Sequence, residues 1–206
     1  MAGAMRVAVL VSGRGSNLQA VLDAAHAGRL GAAAIVAVIS DVPTAPALER
    51  ARAAGVEAVA IDRKSFASRE AFDGAVVESL RARTIDLVVL AGYMRLVGDA
   101  FLRAFPERVI NIHPSLLPAF PGLHGVAQAL EYGVKIAGCT DHFVDQGTDT
   151  GSIILQAAVP VLDGDDEASL AERILGEEHR LLPEAIRLIV AGLVEKVGRR
   201  VSIRRR

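Results

Sequence analysis

The sequence predicts an α/β fold: a single domain with a doubly wound, mostly parallel sheet and antiparallel strands toward its C-terminus. Three observations predict it. Apolar runs recur along the first half of the chain, Ala- and Leu-rich segments with helical spacing separate them, and the alternation changes after residue 112. Strands that are apolar on both faces are typical of a parallel sheet covered by helices. At 206 residues, one domain is the expected organisation.

Five apolar runs are predicted to be the parallel strands, and they occupy residues 6–11, 34–39, 56–61, 86–91 and 108–112. Between them, apolar side chains at helical spacing mark helices that include Leu18 and Phe72. Crossovers between parallel strands of one sheet are right-handed. The chain up to residue 112 is therefore expected to form Rossmann-like strand–helix units.

The pattern toward the C-terminus predicts antiparallel strands and a long helix. Two apolar runs, residues 135–144 and 152–160, are joined by the turn-rich segment 145–151. A connection this short favours antiparallel pairing. A helix is predicted from Glu167 to about Val190, and Pro183 inside it can kink it.

Composition and charge narrow the class of protein. The chain has 23 Lys and Arg against 24 Asp and Glu, a formal net charge of -1, so it lacks the strongly basic balance of many nucleic-acid-binding domains. The single cysteine, Cys139, excludes an intramolecular disulfide and fits a reducing cytoplasm. The N-terminus lacks a signal-peptide pattern, and no apolar stretch is long enough to span a membrane. We expect a cytoplasmic protein that binds neither nucleic acid nor membrane.

The basic C-terminal segment, residues 199–206, has two interpretations. Its arginines could bind an anion or RNA, or the segment could be a solvated tail or a small edge strand. Short charged runs are usually solvated, so the second interpretation is favoured.

A glycine-rich loop, residues 11–17, lies between the first predicted strand and the first helix. Its glycines allow close backbone approach, Ser16 is expected to cap the helix, and free amides at a helix N-terminus bind anions such as phosphate. The loop is not a dinucleotide fingerprint, because Leu18 stands where that motif needs glycine, and no Gly-Lys-Ser/Thr follows as in a P-loop. A tight turn with a capped helix would also explain the loop, but its position at a strand's carboxyl end favours a ligand.

Asn111 and His113 stand two residues apart at the end of the fifth strand, so both side chains point to one face. If Asp149 from the later turn reaches His113, its negative charge favours the imidazolium form. An imidazolium and an amide together can stabilise the oxyanion of a tetrahedral intermediate. Taken singly, Asn111 could merely cap a turn and His113 could be a buried structural histidine. Spacing alone does not bring Asp149 to His113.

Other candidate groups carry weaker signals. Cys139 lies in an Ala-Gly-Cys-Thr context and is interpreted as a small core residue rather than a nucleophile. The five histidines lack metal-ligand spacing with acidic or cysteine partners, so no metal is expected.

Longer motifs around these residues strongly resemble the folate-dependent glycinamide ribonucleotide formyltransferases. The matching motifs run in order along nearly the whole chain, at residues 11–19, 90–95, 111–118, 120–122, 142–145, 149–151, 154–156 and 177–179. The resemblance implies a formyltransferase fold and a step of de novo purine biosynthesis. In that step the amine of glycinamide ribonucleotide takes the formyl group of the co-substrate 10-formyltetrahydrofolate, and tetrahydrofolate leaves.

The resemblance also implies roles for individual residues. The residue matching His113 is the general acid, and those matching Asn111 and Asp149 complete the catalytic site. The ribonucleotide contacts carry over to Gly15, Ser16, Asn17 and Glu178. The folate contacts carry over to Arg69, Met94, Arg95, Leu96, Val97, Asn111 and the loop that begins at Asp145.

The folate residues make physical sense in these roles. Leu96 and Val97 can form an apolar slot for a flat pterin. Arg69 and Arg95 could meet folate carboxylates, although each could instead form a surface ion pair. Residues 1–100 are thus predicted to be mainly a phosphate-binding half, and residues 101–206 mainly a catalytic and folate half.

Three positions depart from the family's pattern. Arg14 stands where a smaller polar residue is frequent, and Gly125-Val126 stands where polar or basic residues are frequent. Asp141 places a charge beside His142, where an apolar or small residue is expected. None of the three coincides with the catalytic positions.

Two other classes of function compete with this interpretation. A formyltetrahydrofolate deformylase usually has an additional N-terminal domain and a methionyl-tRNA formyltransferase a C-terminal RNA-binding domain, and the chain is expected to contain neither. A non-catalytic nucleotide- or folate-binding module would not need the Asn–His–Asp set. A homodimer is compatible with the apolar strands.

Overall fold

The structure is a computed structural model that describes residues 3–204; residues 1, 2, 205 and 206 of the predicted 1–206 domain lie outside it. The strands are β1 (Met5–Val11), β2 (Ala33–Ser40), β3 (Glu57–Ala60), β4 (Leu87–Leu90), β5 (Val109–His113), β6 (Ile136–Phe143), β7 (Ile153–Pro160), β8 (Val194–Val197) and β9 (Arg200–Ile203). The α-helices are α1 (Ser16–His26), α2 (Pro46–Ala53), α3 (Arg69–Ala82), α4 (Asp99–Ala104), α5 (Gly125–Tyr132) and α6 (Glu167–Val190).

The main sheet has seven strands in the order β3-β2-β1-β4-β5-β6-β7. β1 to β5 pair in parallel, whereas β5–β6 and β6–β7 pair antiparallel, so the predicted sheet is confirmed. The chain leaves β1 on one side toward β2 and returns on the other side as β4. Such a reversal opens a crevice at the carboxyl ends of the strands, where α/β proteins bind ligands.

Helices cover both faces of the sheet, which is the doubly wound arrangement. One core cluster joins the sheet to α1, α2 and α6, and the other joins it to α3 and α4. Leu170 and Ile174 of α6 are fully buried against the first face, and burying such a side chain stabilises the fold by about 1.5–3 kcal/mol.

The long C-terminal helix begins and ends where the sequence predicts. Asp166 is its N-cap, and the Asp166 carboxylate and the Ser169 hydroxyl each accept a bond from the other residue's backbone N–H. This reciprocal capping box satisfies two amides that the first turn leaves free. Pro183 is buried within α6, and the helix continues through it to Val190.

The basic C-terminal segment forms a strand, as one of its two interpretations predicts. β9 pairs antiparallel with β8 in a separate two-stranded sheet, rather than extending the main one. Arg204 Nε donates to Glu195 Oε2 at 2.9 Å, and Arg205 and Arg206 lie outside the described residues.

The predicted halves, residues 1–100 and 101–206, share this one sheet, because β4 pairs with β5 across the boundary. Their division by function stays a prediction. Over residues 3–204, none of the helices combines the length and apolar character needed to cross a membrane.

Candidate active site

The three predicted catalytic side chains meet at the carboxyl end of β5. Asp149 Oδ2 lies 3.3 Å from His113 Nδ1, and Asn111 Nδ2 donates to Asp149 Oδ1 at 3.5 Å. Asp149 has a left-handed backbone with φ 54°, and its Oδ2 also accepts from the Gly122 amide at 2.8 Å. The carboxylate therefore joins the end of β5 to two loops.

The ring of His113 is held between two oxygen acceptors. Its Nε2 lies 2.9 Å from the carbonyl oxygen of Phe120, and its Nδ1 faces the Asp149 carboxylate. The carbonyl oxygen and the carboxylate both act only as hydrogen-bond acceptors. A ring with a proton on each nitrogen donates to both of them. The ring is buried, so these contacts are screened little by water.

Gly125 allows this arrangement of His113. It begins α5, and a Cβ added to it would lie 3.2 Å from the Phe120 carbonyl oxygen and 3.4 Å from His113 Nε2. Glycine thus lets the helix start directly against the histidine. The unusual Gly125 of this sequence therefore has a packing role beside the ring of His113.

A second histidine, His142, belongs to the same cluster, although no catalytic role was predicted for it from the sequence. Its Nε2 lies 3.2 Å from Asn111 Nδ2 and 3.5 Å from Asp149 Oδ1. Its Nδ1 lies 2.9 Å from the carbonyl oxygen of Phe143, which can only accept, so Nδ1 is the donor in that contact. The signal that identifies it is the pairing of β5 with β6, which sets Asn111 opposite His142.

The segment after Asp149 packs closely against β6. A Cβ added to Gly151 would lie 1.6 Å from the carbonyl oxygen of Phe143 and 3.3 Å from His142 Nδ1. No side chain fits there, so glycine fixes the path of the loop that carries Asp149.

The environment of Asp149 favours its charged form. Burial raises the pKa of this carboxyl, but the hydrogen bonds from His142 and Gly122 and the charges of His113 and His142 outweigh burial and leave the pKa below its ordinary value. Asp149 is therefore a fixed negative charge beside two imidazole rings at neutral pH.

The glycine-rich loop lies at the end of β1 and starts α1. Gly15 is the N-cap, with φ 75°, and α1 has no side-chain cap among the described residues, so the prediction that Ser16 caps the helix is wrong. A Cβ at Gly15 would approach Ala47 Cβ to 2.7 Å. Ser16 is instead the first helical residue, and its amide and that of Asn17 precede the first intrahelical bond, from Gln19 N to Gly15 O.

Asn17 ties this loop to α6. Its Nδ2 donates to Glu178 Oε2 at 2.8 Å, and both side chains are buried. The structure thus brings together two predicted ribonucleotide residues that are 161 positions apart in the chain. A cavity of about 400 Å³ adjoins the loop and is lined by Ser16, Gln19, Ala20, Asp23, Arg29, Arg50 and His179.

The predicted folate residues after β4 have unequal exposure. Met94 and Leu96 are exposed, with 63% and 58% of their surface accessible, whereas Val97 is buried in the core. Met94 N donates to the Ser12 hydroxyl at 2.9 Å. This bond joins the predicted folate segment to the glycine-rich loop.

Both predicted folate arginines form ion pairs within the chain. Arg95 Nε lies 2.8 Å from Asp41 Oδ2, and Arg69 Nε lies 3.8 Å from Asp73 Oδ2. In each pair the aspartate carboxylate is buried and the arginine is nearly half exposed. Asp145, the remaining folate residue, accepts bonds from the Gly147 amide and the Thr150 hydroxyl and shapes its own turn.

Cys139 is fully buried in β6. Burial first, and then the negative charge of Glu178, raises the pKa of its thiol to about 12. A thiol that stays protonated at neutral pH is a poor nucleophile. In the described part of the chain no group of three or more His, Cys, Asp or Glu side chains is arranged to hold a metal ion.

The chain is similar to known proteins over almost its whole length. The sequence profile described as formyl transferase matches residues 5–186. Phosphoribosylglycinamide formyltransferase from Mycobacterium tuberculosis is 48% identical over 201 residues, 98% of this chain and 92% of the relative. The crystal structure of glycinamide ribonucleotide transformylase 1 from Symbiobacterium toebii superposes with a TM-score of 0.96 and 58% identity, covering 98% of this chain and 95% of that one.

A third relative is much longer than this chain. The trifunctional purine biosynthetic protein adenosine-3 from Drosophila melanogaster is 52% identical over 188 residues. Those residues are 91% of this chain but only 14% of the relative. The chain thus spans about one seventh of the length of that protein.

Proposed function

Because the chain belongs to the formyl transferase family, we propose that it transfers the formyl group of 10-formyltetrahydrofolate to the amine of glycinamide ribonucleotide. The products are formylglycinamide ribonucleotide and tetrahydrofolate, in de novo purine biosynthesis. The observation that carries the proposal is the meeting of Asn111, His113 and Asp149 at one point on the sheet edge. A formyl donor derived from folate agrees with the family.

The geometry supports a direct attack by the substrate amine. The amine nitrogen forms a bond to the formyl carbon, and the carbonyl oxygen gains negative charge. Asn111 Nδ2 offers an amide donor, and His113 Nε2 offers a ring N–H once the oxyanion replaces the Phe120 carbonyl as its acceptor. No nucleophile of the chain is needed, in keeping with the inert environment of Cys139.

His113 is proposed as the general acid for the leaving group. As the tetrahedral intermediate collapses, the bond from the formyl carbon to the folate nitrogen breaks, and that nitrogen takes up a proton. The attacking amine gives up one proton, so the overall transfer requires no external proton. The negative charge of Asp149 faces His113 Nδ1 and keeps the ring oriented for this step.

The glycine-rich loop is proposed to bind the ribonucleotide phosphate. The amides of Gly15, Ser16 and Asn17 lie at the N-terminus of α1, and the helix dipole favours an anion there. The adjoining cavity carries Arg29 and Arg50, which add positive charge. Glu178, held by Asn17, is proposed to contact the same ligand.

The folate is proposed to lie along the segment after β4. The exposed side chains of Met94 and Leu96 offer an apolar surface to the pterin, and backbone groups near Val97 can form hydrogen bonds with the edge of the pterin ring. Asn111 and Asp145 border this region from β5 and the loop after β6. Binding a folate carboxylate requires Arg69 or Arg95 to exchange its aspartate for the ligand.

One assay separates this function from that of a deformylase. Formation of tetrahydrofolate from 10-formyltetrahydrofolate is followed by absorbance, with and without glycinamide ribonucleotide. We expect turnover only with both substrates. Release of formate without the amine would overturn the proposal in favour of a deformylase.

The setting of the enzyme is also proposed. The balanced charge and single cysteine support a cytoplasmic enzyme of small-molecule metabolism that works without nucleic acid, membrane or metal ion. A homodimer is the proposed assembly, and sedimentation of the purified chain distinguishes it from a monomer.

A further inference from the structure

Asp141 in β6 has an unusual environment for a carboxyl group. It is fully buried, and neither of its oxygens has a hydrogen-bonding partner within residues 3–204. Its neighbours across the sheet are Ile112 and Leu155, both apolar. An unpaired buried carboxylate costs several kcal/mol, so such a site favours the neutral acid. Burial first, and then the negative charge of Glu178, raise the pKa of Asp141 well above its ordinary value.

Glu178 is the acidic group whose negative charge acts on Asp141. It lies on α6, which packs over β6, and it is almost fully buried. Its Oε2 accepts from Asn17 Nδ2, which leaves Oε1 available to a further donor. Burial raises the pKa of Glu178, and the bond from Asn17 partly offsets this effect.

The other titratable groups near the pair do not neutralise it. Cys139 shares the strand face with Asp141, and its thiol stays protonated because its pKa is raised to about 12. Glu177 on α6 adds a further negative charge near Cys139. The ring of His142 lies on the opposite face of β6, with Asn111 and Asp149. The ion pairs of the described chain include neither Asp141 nor Glu178.

We propose that Asp141 and Glu178 form a carboxyl pair that holds one proton, and that Asp141 is thereby a positioning residue for the ribonucleotide site. With one proton the pair carries a single negative charge, and Glu178 stays bonded to Asn17 beside the phosphate loop. When the proton leaves to solvent, two negative charges occupy one buried space. They repel each other and the ligand phosphate, and the Asn17–Glu178 contact loosens. The proposal rests on the proposed role of Glu178 in ribonucleotide binding.

The kinetic test compares pH profiles of the parent, Asp141→Asn and Asp86→Asn. In the parent, KM for glycinamide ribonucleotide rises by about tenfold per pH unit once the pair loses its proton. Asp141→Asn has the same shape but no carboxyl to ionise, so this rise disappears while KM for the folate is unchanged. Asp86→Asn is the matched control. Asp86 precedes β4 and accepts a hydrogen bond from Arg6 N, at the amino end of the parallel strands and away from the candidate site. In this control, KM for glycinamide ribonucleotide rises at alkaline pH as it does in the parent.

Two kinetic outcomes contradict the proposal. If Asp141→Asn keeps the alkaline rise of the parent, the pair does not control the ribonucleotide site. If the rise disappears equally in Asp86→Asn, the effect is structural and not specific to the pair.

A spectroscopic test needs neither a variant nor turnover. Carbon NMR of the parent protein, with the carboxyl of Asp141 assigned through backbone connectivities of β6, reports its protonation directly. We expect the chemical shift of a neutral acid at neutral pH. The shift of an ionised carboxylate would overturn the shared proton. This result is independent of the proposed formyl transfer: if the parent forms no tetrahydrofolate with glycinamide ribonucleotide, that function fails while the protonation measurement stands.

Discussion

Asp149 and Asp141 are two largely buried aspartates on opposite sides of the main sheet, and their surroundings differ completely. The two oxygens of Asp149 contact Gly122, His113, His142 and Asn111. The oxygens of Asp141 have no partner in the described chain. Burial raises the pKa of each, but only Asp149 has donors and imidazole charges that reverse the effect. Partners, rather than burial alone, decide which aspartate is charged.

The difference suits the two sides of the sheet to different proposed roles. On the Asp149 side, a fixed charge holds the groups that are proposed to act on the formyl carbon. On the Asp141 side, a neutral acid adjoins the residue proposed to contact the ribonucleotide. Variants on the first side should change the chemical step, and variants on the second should change binding and stability.

The largest effect is expected from His113→Ala. Loss of a general acid lowers kcat by about 100- to 10,000-fold, while ribonucleotide affinity stays close to that of the parent, because the phosphate loop is untouched. Steady-state rates and ribonucleotide titration measure the two quantities. His26→Ala, at the last residue of α1, is the histidine control and keeps parental turnover. A kcat for His113→Ala within a few fold of the parent value would contradict the proposed role of His113 as the general acid.

The second effect is a shift in the pH dependence of the rate in Asp149→Asn. The Asp149 carboxylate faces His113 Nδ1, so removing its charge is expected to change the pH profile of kcat. Circular dichroism checks that the fold is kept. A profile identical to that of the parent would show that Asp149 and His113 are not coupled.

The two aspartates should affect stability with opposite sign. The pKa of Asp149 is lowered in the folded protein, so its stabilisation is present above the unfolded pKa and is lost as pH falls through the folded value. The pKa of Asp141 is raised in the folded protein. Its contribution to stability is therefore fully present below the pKa of the unfolded chain and is lost as pH rises toward the pKa of the folded protein.

At neutral pH, Asp149→Asn should therefore lower Tm and Asp141→Asn should raise it, by about 2–4 °C for each kcal/mol in a chain of this size. As pH falls, the Asp141→Asn difference shrinks and vanishes near about 3.9, the ordinary aspartate value, whereas the Asp149→Asn difference shrinks only below that value. Thermal unfolding followed over a pH series measures both. Shifts of the same sign at neutral pH would contradict the contrast between the two environments.

The smallest effect is expected from Arg69→Ala. Its pair with Asp73 is long and half-exposed, so its loss changes the free energy of unfolding by about 1 kcal/mol at most. If Arg69 meets a folate carboxylate, KM for the folate rises up to about fivefold, the equivalent of about 1 kcal/mol. Arg52→Ala, which removes an exposed pair with Glu49 on α2, is the control and leaves that KM unchanged. An unchanged folate KM in Arg69→Ala removes this residue from the folate site.

The sequence predicted the elements whose signals are local. The main strands are buried apolar runs, and α6 has both a long apolar periodicity and a capping box at Asp166 and Ser169. Its start at Glu167 was accordingly predicted to the residue, and its end was predicted at about Val190. Local signals failed at Ser16, because the left-handed Gly15 takes the cap position against Ala47.

The site required information that no local pattern contains. Asn111 and His113 share a strand, and alternation placed them together, but the approach of Asp149 depends on the path through Gly151 against β6. His142 was missed because its place follows from the pairing of β5 with β6. Asp141 stood out in the sequence as a charge at an expected apolar position, and only the packing of α6 over β6 brought the charge of Glu178 to bear on it.

The most direct test of the central claim follows an isotopically labelled formyl carbon from 10-formyltetrahydrofolate in a single turnover, with glycinamide ribonucleotide present. We predict that the label appears in formylglycinamide ribonucleotide at the rate of tetrahydrofolate formation, and that His113→Ala slows both equally. Label recovered as free formate, or transfer at the parental rate in His113→Ala, would contradict the account.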